Sequence, residues 1–218
     1  ARLGLDPIPV TGIRHPWNGA REEVAEGFRF HRTPEPKGGL AARLPLGDYL
    51  NVVRSLEAKL DRMIEEVRPD LLHAHSPCLV GLAALRAGHR AGLPVVYEMR
   101  ACWEDAAVSH GTARDGGPRY RATRALESWV LRKADGVVVI CQGLKDDVLE
   151  RGVVDPDKLV VMPNGVDPER FAADAARPSP AALPADWAGR FVVGFFGSFY
   201  RYEGLDLLLE AVSDLRRR

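Results

Sequence analysis

FVVGFFGSFYRYEGLDLLLEAVSDL, residues 191–215, reads as the opening of a new fold unit. Residues 191–196 form a short apolar run that predicts a buried strand, and Leu205, Leu208, Leu209, Val212 and Leu215 recur at helical spacing. The turn between them is bracketed by Gly197 and Gly204. A strand, a glycine-bracketed turn and a helix bring backbone N–H groups and a positive helix end up to phosphate. One strand and one helix cannot close a sheet, so this stretch predicts the start of a second domain. The expected division is residues 1–167 as a first domain, 168–190 as an alanine- and proline-rich linker, and 191–218 as the beginning of the second.

Working outward, the preceding residues alternate helices with short apolar strands. Asp48 caps a helix in which Tyr49, Val52, Val53, Leu56, Leu60, Met63, Ile64 and Val67 trace one stripe, stopped by Pro69. Strands follow at 70–74, 94–99, 136–140 and 159–162, with helices at 79–91, 120–133 and 142–151 between them. In the helix at 120–133, Ala122, Ala125, Leu126, Trp129 and Val130 form the expected inner side. Upstream, residues 5–10 predict an edge strand interrupted by Pro7 and Pro9, 11–26 a loop, 28–32 a half-buried strand and 37–47 a connection. Residues 100–118 break the rhythm as a long polar loop. The pattern is α/β, with a mostly parallel sheet covered on both faces. The opening ARLGLDPIPV reads as a helix end running into a strand, so truncation at both ends is expected.

The 30 basic and 30 acidic side chains balance, which argues against nucleic acid as the main partner. Cys78, Cys102 and Cys141 fit neither a disulfide framework nor a zinc motif, and predict buried thiols in a reducing, cytoplasmic compartment. No apolar segment approaches the ~18 residues of a membrane-spanning helix, which leaves peripheral contact with an anionic membrane surface open. The basic residues of helix 120–133 are either such a surface or a solvated face.

Ligands of open α/β sheets gather beyond the carboxyl ends of the strands. Those ends carry His73, His75 and Ser76, then Glu98 and Arg100, then Cys141 and Gln142, then Asn164 and Gly165. Taken singly, each is as readily a hydrogen bond fastening a loop. His73 and His75 share a strand face, the arrangement a metal pair needs, but no third ligand is expected to join them, and the expected metal set is none. His75 is the expected ligand contact and His73 a packed residue. Glu98 and Arg100 share a face and suit a hydroxyl or a phosphate, with an internal ion pair as the alternative. Trp103, Glu104, Asp105 and His110 fall in the long loop; an indole beside carboxylates suits a sugar ring, and a loop anchor is the alternative. The turn at 197–204 lacks the ending of a P-loop and is not a dinucleotide fingerprint, although Ser198, Tyr200 and Arg201 offer donors to a diphosphate.

Several of these segments resemble a known family. MPNGVDPERF at 162–171 and FFGSFYRYEGLDLLLEA at 195–211 look like the domain crossover of family 4 retaining glycosyltransferases with the GT-B fold. GFRFHRTP at 27–34, HAHSP at 73–77, YEMRACWEDAAVSHGT at 97–112 and RYRATRALESWVLRKADGVVVICQGL at 119–144 are similar to the subgroup associated with exosortase and exopolysaccharide gene clusters. The resemblance implies a Rossmann-like acceptor-side domain whose first strand and helix precede Ala1, joined to the first strand and helix of a donor-binding domain. It implies transfer of a sugar, with retention, from a nucleotide-sugar donor to a hydroxyl of a glycan or lipid-linked acceptor at the cytoplasmic membrane face, without an essential metal or other cofactor. His75, Glu98 and Arg100 would be catalytic, and Trp103, Glu104, Asp105 and His110 would bind the acceptor. Asn164, Gly197, Ser198, Tyr200, Arg201 and Gly204 would bind the donor.

The chain departs from the family pattern in places. Ser198 and Glu203 stand where many relatives carry an Arg and a Lys for the diphosphate, and Arg100 stands where many have a histidine. The resemblance also implies an acidic donor-binding motif after Arg218, and for lack of most of the donor pocket the isolated 218-residue chain is expected to be inactive. Two alternatives are an epimerase-like enzyme acting on nucleotide sugars and a noncatalytic nucleotide- or sugar-phosphate-binding module.

Overall fold

The computed structural model describes residues 4–14, 19–25, 27–34, 47–169, 172, 187 and 189–217. They form two compact units. The first runs to Pro163 apart from Ser109–Thr112; the second takes those four residues and the chain from Asn164 onward.

Two sheets build the first unit. The smaller has three strands, β1 (Val10–Thr11), β2 (Glu22–Ala25) and β3 (Phe28–Arg32), in the order β1-β3-β2. β3 runs parallel to β1 and antiparallel to β2. β2 lies in a stretch expected to be loop; its charged, alternating EEVA sequence hides an edge strand that is ordered by its partner. β3 does not show the expected alternation: Phe28 is 46% exposed, Arg29 is exposed beside it, and burial rises along the strand to Arg32, which is buried against Glu23.

The second sheet has four strands, β4 (Leu72–His75), β5 (Val95–Met99), β6 (Gly136–Val139) and β7 (Leu159–Val161), in sequential order and all parallel. Helices link them: α2 (Cys78–Arg90), α3 (Trp103–Ser109), α4 (Pro118–Lys133) and α5 (Gln142–Glu150). The long amphipathic α1 (Gly47–Val67) precedes the sheet and buries Val53 and Leu56 against Ala83 of α2. Parallel strands need such crossovers, which is why the alternating apolar pattern is readable.

The strand pattern separates two faces. Val95, Tyr97 and Met99 of β5 and Val137 and Val139 of β6 are buried in the main core with Leu85 of α2, Val130 and Leu131 of α4 and Val148 of α5. The alternate residues of β5, Val96 and Glu98, are only half-buried. This parity decides which side chains reach the candidate site.

The inner face of α4 differs from the expected one. Ala122 and Ala125 are exposed and Trp129 is 38% exposed, whereas Glu127, Val130 and Leu131 are buried. The stripe is rotated by one position because Glu127 is drawn in by the Tyr97 hydroxyl, which donates a 2.6 Å hydrogen bond to its carboxylate. Burial pushes the Glu127 carboxyl up to about 7. Of the cysteines, Cys78 is buried, Cys102 half-buried and Cys141 exposed, so the expectation of three buried thiols holds for Cys78 alone. Burial pushes the Cys78 and Cys102 thiols each up to about 12.

In the second unit, residues 191–196 form no strand. Phe191 and Phe196 are 96% and 98% exposed, and no neighbouring strand pairs with this segment among the described residues. A single segment has no ladder to join, and β structure exists only with a partner. A short 3-10 helix, Arg201–Glu203, leads to Gly204 in the left-handed conformation (φ 65°) and then to α6 (Leu205–Leu215), none of whose residues is buried. Only glycine adopts that φ without strain, so Gly204 has a structural reason independent of any ligand. The expected linker, 168–190, falls largely outside the described residues.

Candidate active site

The clearest convergence of polar groups lies at the carboxyl end of the parallel sheet, on its half-buried face. His73 and His75 stand two positions apart on β4, and the β4–β5 register sets His75 opposite Glu98. All three side chains therefore project to one side. His73 Nε2 is 3.1 Å from one Glu98 oxygen and His75 Nδ1 is 3.3 Å from the other. The two imidazoles stack with centroids 4.6 Å apart. Arg100 Nε lies 3.6 Å from the same Glu98 oxygen that faces His75.

Glu98 is thus the hub. Its side chain is only 12% exposed, whereas His73, His75 and Arg100 are 40–51% exposed, so a carboxylate at the floor meets cationic and hydrogen-bonding groups open to solvent. Main-chain bonds fix the floor: the Ser76 amide donates to the Glu98 carbonyl at 2.8 Å, and the Arg100 amide donates to Ser76 Oγ at 3.1 Å. Desolvation, and secondarily the proximity of His75, lower the His73 pKa, against the opposing pull of Glu98.

The sequence predicts a packed His73 and no third ligand for the histidine pair. Both expectations are corrected. His73 is open to solvent and touches Glu98, and the carboxylate joins the pair from the neighbouring strand. Strand parity had already put the histidines together; what was missing was the β4–β5 register, which no local pattern specifies.

The stretch carrying Trp103, Glu104 and Asp105 is helix α3 rather than loop. Trp103 is 41% exposed, and Asp105 accepts a 2.9 Å hydrogen bond from Tyr120. Glu104 is fully buried, with Arg151 at 2.7 Å and Arg124 at 3.4 Å. Arg151, itself 2% exposed, also pairs with Asp147. Glu104 therefore presents no surface to an acceptor: it anchors α3 to α4 and α5, and its expected acceptor contact is withdrawn. The anchor went unseen because its partners are 20 and 47 residues away in sequence. Arg124 meets this cluster, so that part of the basic helix neutralises buried acid rather than facing solvent.

The remaining candidates belong to the second unit. Asn164, Gly197 and Ser198 are exposed there. His110 stacks on Tyr200 with centroids 4.2 Å apart, and Tyr200 stacks on Tyr202 at 5.3 Å. The Arg201 side chain falls outside the described set.

A parallel α/β sheet with a polar rim at its carboxyl end defines a Rossmann-like architecture. Residues 1–165 match the family model described as a glycosyl transferase 4-like domain, and the chain belongs to that family, with its GT-B fold. A GDP-mannose-dependent alpha-mannosyltransferase of Mycobacterium tuberculosis is 26% identical over 209 residues, covering 95% of this chain and 51% of the relative. A D-inositol 3-phosphate glycosyltransferase of Kineococcus radiotolerans is 29% identical over 198 residues, covering 89% and 44% respectively. The chain thus spans about half the length of these curated relatives. Among solved structures, a UDP-N-acetylglucosamine 2-epimerase matches with TM-score 0.44 and 16% identity over 73% of this chain and 39% of its own. At that similarity the likeness says nothing about function.

Proposed function

We propose that the whole protein is a retaining glycosyltransferase and that the first unit of this chain holds its acceptor. The observation that carries the reading is the Glu98 hub: a largely buried carboxylate at a strand end, flanked by two imidazoles and a guanidinium, in a chain of a glycosyltransferase family. Glu98 accepts a hydrogen bond from the acceptor hydroxyl, while His75 and Arg100 orient it and offset charge. Trp103 and Asp105 frame the sugar ring. In transfer, the bond from the sugar's anomeric carbon to the diphosphate oxygen breaks, the acceptor oxygen bonds that carbon with retention, the diphosphate leaves with the bonding electrons, and the hydroxyl proton passes to the Glu98 carboxylate. No metal is required for this step.

Donor contacts fall to Asn164, Gly197, Ser198, Tyr200, Arg201 and Gly204. The mannosyltransferase and inositol-phosphate relatives favour a nucleotide-sugar donor and a polyol or glycan acceptor. Exopolysaccharide or cell-surface polysaccharide synthesis, on a lipid-linked acceptor at the cytoplasmic face of the inner membrane, is the context we infer; no described helix is long and apolar enough to cross a membrane. The 218-residue chain alone is inactive in this reading.

The test is release of nucleotide diphosphate and sugar transfer from a panel of GDP- and UDP-sugars, using the complete reading frame and the 218-residue chain side by side. Acceptor-dependent product from the complete protein alone is expected. Donor binding without transfer to any glycan or lipid-linked acceptor would instead mark a noncatalytic binding module.

A further inference from the structure

His73, His75 and Glu98 each offer one ligand atom, and these atoms all lie within 4.8 Å of one another. The closer contacts, 3.1 Å from His73 Nε2 and 3.3 Å from His75 Nδ1, go to the two different oxygens of the Glu98 carboxylate, so one imidazole already stands at shell distance from whichever oxygen ligates. Two ligands bonded at ~2.0–2.2 Å in tetrahedral geometry stand roughly 3.3 Å apart. The wider separations, up to 4.8 Å, have to contract by up to about 1.5 Å to reach that spacing, which the half-exposed imidazoles can supply by rotating while the largely buried Glu98 stays in place. Imidazole nitrogens with one carboxylate oxygen suit zinc and its first-row neighbours rather than magnesium or calcium, which take oxygen shells.

We propose that His73, His75 and Glu98 bind one divalent transition-metal ion of the zinc class at the carboxyl end of β4 and β5. The fourth position is left to water or to a substrate oxygen. Arg100 opposes the site: its Nε lies 3.6 Å from the Glu98 oxygen that also faces His75, and it must swing toward solvent, where its side chain is already 49% exposed, before the ion enters. The inference does not depend on the transferase reading. If both hold, the ion takes Glu98 and His75 away from the acceptor, and zinc inhibits transfer rather than supporting it.

The experiment uses the purified chain, stripped with chelator and titrated with cobalt(II), followed by visible d–d absorption, with zinc as competitor. One equivalent of cobalt is expected to bind with a spectrum of nitrogen and oxygen ligation and no thiolate charge-transfer band, and C141S should leave it unchanged. His73→Ala and Glu98→Gln should each weaken binding at least tenfold, and Arg100→Gln should tighten it several-fold. Absence of a cobalt spectrum in the unsubstituted protein overturns the proposal without recourse to any variant. So does a spectrum that survives both H73A and E98Q in protein with unchanged circular dichroism, or one that carries a thiolate band lost in C141S. Because the readout is metal binding, it is unaffected by whether the protein transfers sugar.

Discussion

Arg151→Met is the sharpest perturbation of the scaffold that carries the site. Arg151 and Glu104 are 2% and 0% exposed and 2.7 Å apart, so neither charge reaches water. Removing the guanidinium leaves the Glu104 carboxylate facing only Arg124 at 3.4 Å, and leaves the partly exposed Asp147 free to turn to solvent. Breaking a buried pair from one side costs about 3–5 kcal/mol. Glu104→Gln removes the other charge but leaves Arg151 paired with Asp147 at 2.6 Å, so its cost should be nearer ~1–2 kcal/mol, the loss of a charged hydrogen bond. The double variant should recover part of the R151M loss, because the stranded carboxylate is gone. Urea denaturation of the three variants at neutral pH, read by circular dichroism, gives the comparison. An R151M cost below about 1 kcal/mol, or an E104Q cost exceeding it, would refute the assignment of this pair as the anchor of α3.

Two further predictions concern the core beneath the site. Burial raises Glu127 from its ordinary 4.5 to about 7, so between those values the folded state holds a proton that the unfolded chain has released. Its contribution is complete below about pH 4.5 and is lost as pH rises through about 7, by roughly 3 kcal/mol in total. E127Q, neutral throughout, should remove that slope, and identical pH–stability profiles for the two proteins would contradict it. At Gly81 in α2, a Cβ would lie 2.6 Å from Val130 and 2.7 Å from Tyr97, whereas at Gly143 in α5 it would meet nothing within 4 Å. Gly81→Ala should therefore lose about 1–2 kcal/mol after its gain in helix propensity, and Gly143→Ala should be neutral or stabilising; thermal melts that rank them the other way would show that α2 does not approach the sheet this closely.

What could be read from the sequence follows the range of the interactions. Apolar runs bounded by glycine and proline located β4 to β7, and the stripe from Val52 to Met63 located α1, because these patterns are local. The polar rim was legible too, since strand ends in α/β folds collect function whatever the residues. Buried charge was not. Glu127 enters the core because Tyr97, on a strand 30 residues earlier, offers a hydroxyl, and Glu104 because Arg151 arrives from α5. The same holds for β2, whose charged residues are ordered by β3, and for residues 191–196, whose apolar composition calls for a strand while no described partner forms the ladder. Glu98 falls between the cases: its place at the rim was visible, but its contact with both histidines depends on a register that only the paired strands define.

The proposed role of the Glu98 hub is to position the acceptor for sugar transfer. It is tested most directly by the rate of transfer in the complete protein carrying Glu98→Gln, which keeps the shape of the side chain and removes its charge. The expected result is a fall in kcat/KM of about 10²–10⁴-fold, the range for loss of a positioned proton acceptor, with donor binding unchanged. A kcat/KM for the acceptor within a few-fold of the unsubstituted protein, at saturating donor, would contradict it.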